Sequence, residues 1–227
     1  MGRFAAGDYD QSIEYCNMAI AASAEMVHAL NAKFLLAYTH LLLEQVDEAE
    51  KILHDILAFT ETHGYEYLGT AAQALAGMVS LARGHLAAGV DRIFERMAVF
   101  KTHGKQYHLM TFQYLLGKVF LRLALKQGGL RLRLIGRNLI FLMRHLPFAA
   151  RKAEINFQKA VRMAESIGAL GVAGEIHFDL ARLYTARHQR VPALESIDRS
   201  IAHFQRCHAD VHLAQARKFR KERLIGP

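Results

Sequence analysis

The chain has 227 residues, 52% hydrophobic and 22% charged, which excludes disorder and leaves room for one large domain or two small ones. Three prolines, no tryptophan and two cysteines (Cys16 and Cys207) exclude a turn-rich β-sandwich and a disulfide framework, and point to a reducing, cytoplasmic setting. The formal charge of +8, from 29 Lys and Arg against 21 Asp and Glu, leaves nucleic acid, a membrane surface or an acidic partner as ligand classes.

Near the N-terminus there is no apolar core of signal-peptide length, and no stretch reaches the roughly 18 apolar residues of a membrane span. Gly7–Ile20, GDYDQSIEYCNMAI, has the pattern of the second helix of a helical hairpin, with Cys16 facing its core. The six residues before it are too few for a first helix, so Met1 falls inside a repeat and more chain is expected upstream.

From there the chain reads as helical pairs. Residues 29–66 carry Leu36, His40 and Leu43, then Ala49, Ile52, Leu53 and Ile56, at the 3.6-residue period, and end at Gly64 of ETHG. Residues 67–106 repeat the plan and end at Gly104 of KTHG. Residues 107–170 repeat it again with an insertion at about 126–149 and end at Gly168; residues 171–208 end at His208 in the equivalent place. A polar segment with sparse apolar anchors, DVHLAQARKFRKER (Asp210–Arg223), closes 209–227 as a capping helix. Small residues mark each pair: Ala37 and Ala49, Gly77 and Gly89, Gly117 and Ala153, Ala181 and Ala193. The separations are 12, 12, 36 and 12, so one pair holds a 24-residue insertion and the others are regular. Small residues at fixed places let two helices cross closely, and a Gly after the second helix suits its left-handed end.

The segments GDYDQSIEYCNMAI, LLAYTHLLLEQVDEAEKIL, LAGMVSLARGHLAAGVDRI and DLARLYTARHQRVPALESI resemble tetratricopeptide repeats, lengthened from 34 residues to about 40. The resemblance covers nearly the whole chain. It implies an all-α solenoid of helical hairpins in a right-handed superhelix, with an inserted helix in the fourth repeat. RHLPFAARKAE (Arg144–Glu154), ESIGALG (Glu165–Gly171) and FQRCHADVHLAQA (Phe204–Ala216) further resemble the C-terminal repeat region of bacterial proteins in which a class III adenylate/guanylate cyclase domain precedes an AAA/STAND ATPase. Nothing in the chain resembles the cyclase or ATPase parts. The implied role is therefore non-catalytic: a scaffold in signal transduction that binds a protein or peptide segment, or another domain of the same parent chain. A stand-alone adaptor is the alternative.

The family's ligand surface is the concave one, lined by first helices. Carried across, it comprises Phe34, Tyr38, Ala74, Met78, Tyr114, Lys118, Arg122, Phe178 and Arg182, suited to an acidic or amphipathic segment. Filling of that groove by the insertion, or burial of these residues against neighbouring helices, is the competing expectation.

The charge is local. Between Arg96 and Ala153 there are twelve cations and no acid, leaving 29 − 12 = 17 cations against 21 acids elsewhere. A wheel over Leu130–Leu146 puts Leu132, Ile135, Leu139, Leu142, Met143 and Leu146 on one face and Arg133, Arg137 and Arg144 opposite. Such a helix packs in the array with its basic face solvated, binds an acidic partner, or lies weakly on an anionic membrane. Nucleic acid is disfavoured, since aromatic and base-reading residues are not interleaved with the cations.

No nucleotide-binding glycine loop, H-E-x-x-H or C-x-x-C occurs, so no catalytic, cofactor or metal site is expected. His203 and Cys207, like His208 and His212, are four apart, but a helix break expected near His208 separates the pairs. The remaining histidines read as surface and interhelix residues, with His63 and His103 near helix C-termini.

Overall fold

The computed structural model describes residues 9–125, 136 and 138–225. Among them there is no strand; every element is helical and packs mainly on its sequence neighbours. The chain divides after Gly104 into two compact units. The first contains α1 (Tyr9–Ala22), α2 (Met26–Leu42), α3 (Val46–His63), α4 (Glu66–Ala82) and α5 (Leu86–Thr102). The second contains α6 (Gln106–Ala124), α7 (Leu139–His145), a 3-10 turn (Leu146–Phe148), α8 (Ala149–Ser166), α9 (Leu170–Ala186), α10 (Arg190–Arg206) and α11 (Asp210–Arg220), followed by a π-helical turn, Lys221–Ile225. No helix among the described residues is long and apolar enough to cross a membrane.

Seven chain reversals among the described residues turn on a left-handed residue. Left-handed residues fall at 44, 64, 84 and 104 in the first unit and at 168, 188 and 208 in the second, twenty apart within each run. The N–H that follows donates to the carbonyl five residues back: Gln45 to His40 (2.9 Å), Tyr65 to Thr60 (3.1 Å), Gln189 to Tyr184 (2.9 Å). This pattern satisfies carbonyls that the helix end would otherwise orphan. The side chains of the following helix then have no capping duty, and none of these helices has a side-chain N-cap bond.

Helices cross where side chains are smallest. Ala37, Ala49, Ala153, Ala181 and Ala193 have no exposed surface. At the α4–α5 crossing a Cβ on Gly77 would stand 2.9 Å from the Gly89 carbonyl oxygen, and one on Gly89 2.7 Å from that of Gly77. The two backbones themselves are in contact there. In the second unit a Cβ on Gly117 of α6 would stand 2.5 Å from the Phe157 ring of α8, and one on Gly174 of α9 equally close to Phe204 of α10. The cores form around these points: Leu53, Ile56, Leu75, Ile93 and Phe100 in the first unit, Met110, Phe120, Phe157, Ile176, Ile197 and Phe204 in the second.

The inserted segment departs from the expected wheel. Its described helix runs from Leu139 to His145 and continues into the 3-10 turn at Leu146–Phe148. Phe141 and Leu142 are the buried residues, while Leu139, Met143 and Leu146 are exposed. The aromatic ring decides the rotation: His145 stacks on Phe141 at 4.2 Å and on Phe120 of α6 at 5.9 Å. Leu132, Ile135, Arg133 and Arg137 lie outside the described residues.

The crossing geometry has a direct consequence. Alanine normally favours a helix interior over glycine by about 0.5–1 kcal/mol. At position 89 the added methyl meets backbone, so Gly89→Ala is expected to destabilise by about 1–3 kcal/mol. Urea unfolding of the two proteins measures it, and a gain in stability would contradict the close crossing.

Candidate functional site

The first-helix face of the second unit carries a connected set of polar contacts. Asp179 of α9 is buried, and a buried carboxylate needs partners. It accepts from Arg182 Nη1 at 2.8 Å and from the Tyr114 hydroxyl at 3.1 Å, with Lys118 Nζ 4.0 Å away. The same hydroxyl lies 3.1 Å from Glu175, so its one proton is shared between two carboxylates. Lys118 also sits 4.9 Å over the Tyr114 ring. Asp179 thus neutralises cations that were expected to face a partner.

Beyond Arg182 the surface opens into a groove of about 750 Å³ between α9 and α11, with Leu125 at its edge. Phe178 and Phe219 meet edge to face at 5.4 Å along it. Thr185, Ala186 and His188 stand on one side, Gln215, Lys218, Glu222 and Arg223 on the other. Lys218 pairs with Glu222 at 4.0 Å. Four of the expected groove residues therefore share one region, Tyr114 and Lys118 in the polar network and Phe178 and Arg182 at the groove. Tyr114 is buried at 3% exposure, so it orders the network from within. Arg122 is exposed on α6. Phe34, Tyr38 and Met78 are half-buried in the first unit, and Ala74 is wholly buried there.

The basic insertion is represented among described residues by Arg144, which is exposed. Behind it Lys152 donates to His145 Nδ1 at 2.9 Å and lies 5.5 Å from the Phe120 ring. Partial burial lowers the Lys152 pKa, and the nearby Arg144 charge lowers it further.

Sequence reasoning missed three acids, Glu165, Glu175 and Asp179, and the histidine His177. Glu165 Oε1 stands 3.4 Å from His177 Nε2 and 3.6 Å from His203 Nε2. Burial lowers the His177 pKa; Glu165 opposes that shift, while His203 and Arg199 add to it. The helix does break where expected: α10 ends at Arg206 and His208 is left-handed. His63 closes α3 and His103 caps α5. His63 Nδ1 lies 3.0 Å from the Phe59 carbonyl. Cys16 is buried, and burial raises its thiol pKa.

No family model matches the chain, and no curated protein matches it. Its functional reading rests on its own residues.

One titration is large enough to test. Burial, aided by the Lys105 charge, lowers the His108 pKa to about 4. An unfolded imidazole near 6.5 binds more protons than the folded one between those values. Stability is therefore full above the upper value and falls as pH drops towards the lower. Comparing urea unfolding at neutral pH and at about pH 5, His108→Gln is expected to lose less stability than the parent chain. An equal loss would show that His108 protonates freely in the folded state.

Proposed function

We propose that the chain is a non-catalytic interaction module of the tetratricopeptide class, its helical hairpins wound in a right-handed superhelix. The observation that carries this reading is the groove between α9 and α11, with paired Phe178 and Phe219 beside Arg182, Lys218 and Arg223. Apolar rings supply area, and Arg223, beside Arg182 and Lys218 in their ion pairs with Asp179 and Glu222, selects against basic segments. The ligand is an amphipathic or extended segment bearing acidic residues. Because Asp179 holds Arg182 in place, the wall is ordered before a ligand arrives, which limits the entropic cost of capture.

On the resemblance of Arg144–Glu154, Glu165–Gly171 and Phe204–Ala216 we further propose that the module follows a cyclase and an ATPase in one polypeptide and binds a segment of that parent chain. A reading frame continuing upstream of the Met1 codon with both catalytic signatures supports that placement; a frame without them leaves the stand-alone adaptor.

Ala186 and Gln215 are exposed on opposite sides of the groove and outside the core. Acidic peptides selected from a displayed library are expected to bind the parent chain. The double variant Ala186→Glu/Gln215→Glu is expected to bind them at least about tenfold more weakly, about 1.4 kcal/mol, with unchanged helicity by circular dichroism. Equal binding by the double variant, or no selection against the parent chain, would refute the groove.

A further inference from the structure

Three helices of the second unit bring two imidazoles and a carboxylate to one point. Glu165 is in the last turn of α8, His177 in α9 and His203 near the end of α10. Their ligand atoms all lie within 4.8 Å of one another. The two distances to Glu165 Oε1, 3.4 and 3.6 Å, lie close to the edge of a zinc tetrahedron, about 3.4 Å for bonds near 2.1 Å.

Burial is graded across the group. The His177 side chain is 6% exposed, that of His203 13% and that of Glu165 42%. Two imidazoles thus form the floor, and the carboxylate stands on the solvent side, where a cation would enter. The Nδ1 atoms of both histidines are buried and have no hydrogen-bond partner. His177 Nε2 hydrogen-bonds Glu165 and His203 Nε2 stands just beyond that distance, so the two rings are only partly satisfied, and buried polar atoms of this kind call for an explanation such as an ion.

We propose that Glu165, His177 and His203 form a three-ligand site for a divalent cation of the zinc class. Two nitrogens and one oxygen suit zinc, nickel and copper over magnesium or calcium. Three protein ligands leave a fourth position for solvent. The site joins α8, α9 and α10, so its cation tightens their packing; it is separate from the groove and does not rest on the groove's function.

Two features limit affinity. The rings are nearly parallel, at 10° with centroids 5.6 Å apart, so one must rotate for both Nε2 atoms to converge on an ion. Rotation about χ2 of histidine is soft and permits this. Neither Nδ1 has the carboxylate or carbonyl that usually orients a ligating histidine, which lowers affinity by about 10–100-fold relative to a backed site. The exposed Arg199 adds a repulsive charge nearby. Micromolar binding is expected in place of the much tighter binding of structural zinc sites.

The test uses the full chain freed of metal by chelator and titrated with zinc alone, and separately with cobalt. One equivalent of zinc is expected to bind, with cobalt giving the visible bands of a four- or five-coordinate ion. Glu165→Gln and His203→Gln, both at partly exposed positions, should each weaken zinc at least tenfold while retaining parental helicity. Cys207→Ser and His208→Gln should bind as the parent does. Absence of saturable binding, equal affinity in Glu165→Gln and His203→Gln, or loss that follows Cys207→Ser would each overturn the site. Should a glutamine variant unfold, X-ray absorption of the parent's zinc complex decides: two imidazoles support the site, and sulfur ligation overturns it.

Discussion

Close approach of paired helices at their smallest residues is the constraint from which the rest of the structure follows. At Gly77 and Gly89 two backbones touch, and neither position has space for a methyl group. Once the crossing point is pinned, the large residues on either side have fixed partners. Ile93 and Phe100 fill the first unit in this way, and Phe157 packs over Gly117 in the second. Turns of one kind, twenty residues apart, then return the chain at regular intervals to form the next crossing. A fold of this sort is assembled from neighbour contacts, and each pair buries an apolar face only because the next pair covers it.

That regularity also governs chemistry in the second unit. Residues far apart in sequence arrive at the same level because successive hairpins pack side by side. Tyr114 and Asp179 are separated by 65 residues and share a hydrogen bond. His177 and His203, 26 apart, occupy neighbouring helices with their rings stacked. Net charge is a poor guide in such an architecture. The basic middle of the sequence looked like an uncompensated surface, yet its Lys118 lies 4.0 Å from a buried aspartate of the next hairpin, Asp179, which also pairs with Arg182 of its own helix.

The helices, their ends and their crossing residues were legible in the sequence because each leaves a local mark: an apolar period, a glycine at a left-handed turn, a small residue at a contact. Left-handed Glu44 and His188 escaped notice because their side chains carry no such mark, although their spacing from Gly64 and His208 announces them. The inserted helix was misjudged because a wheel treats leucine and phenylalanine alike, whereas stacking with His145 and Phe120 chose Phe141 for the interior. The site was only half legible. Phe178 and Arg182 followed from repeat position, but Asp179, Glu175 and Glu165 are ordinary acids until tertiary packing brings donors to them. Lining up the repeats and asking which polar residues share a level was the signal that would have found them.

The central claim, that each hairpin is set by a single small-residue crossing, is most directly tested by a double-mutant cycle on Gly77→Ala and Gly89→Ala, read by urea unfolding. Each methyl forces open the same gap, so the second should cost less than the first, with a coupling above about 0.5 kcal/mol. The pair Gly77→Ala and Gly117→Ala, at crossings in different units, should be additive within that margin. Additivity for Gly77 with Gly89 would contradict the shared crossing.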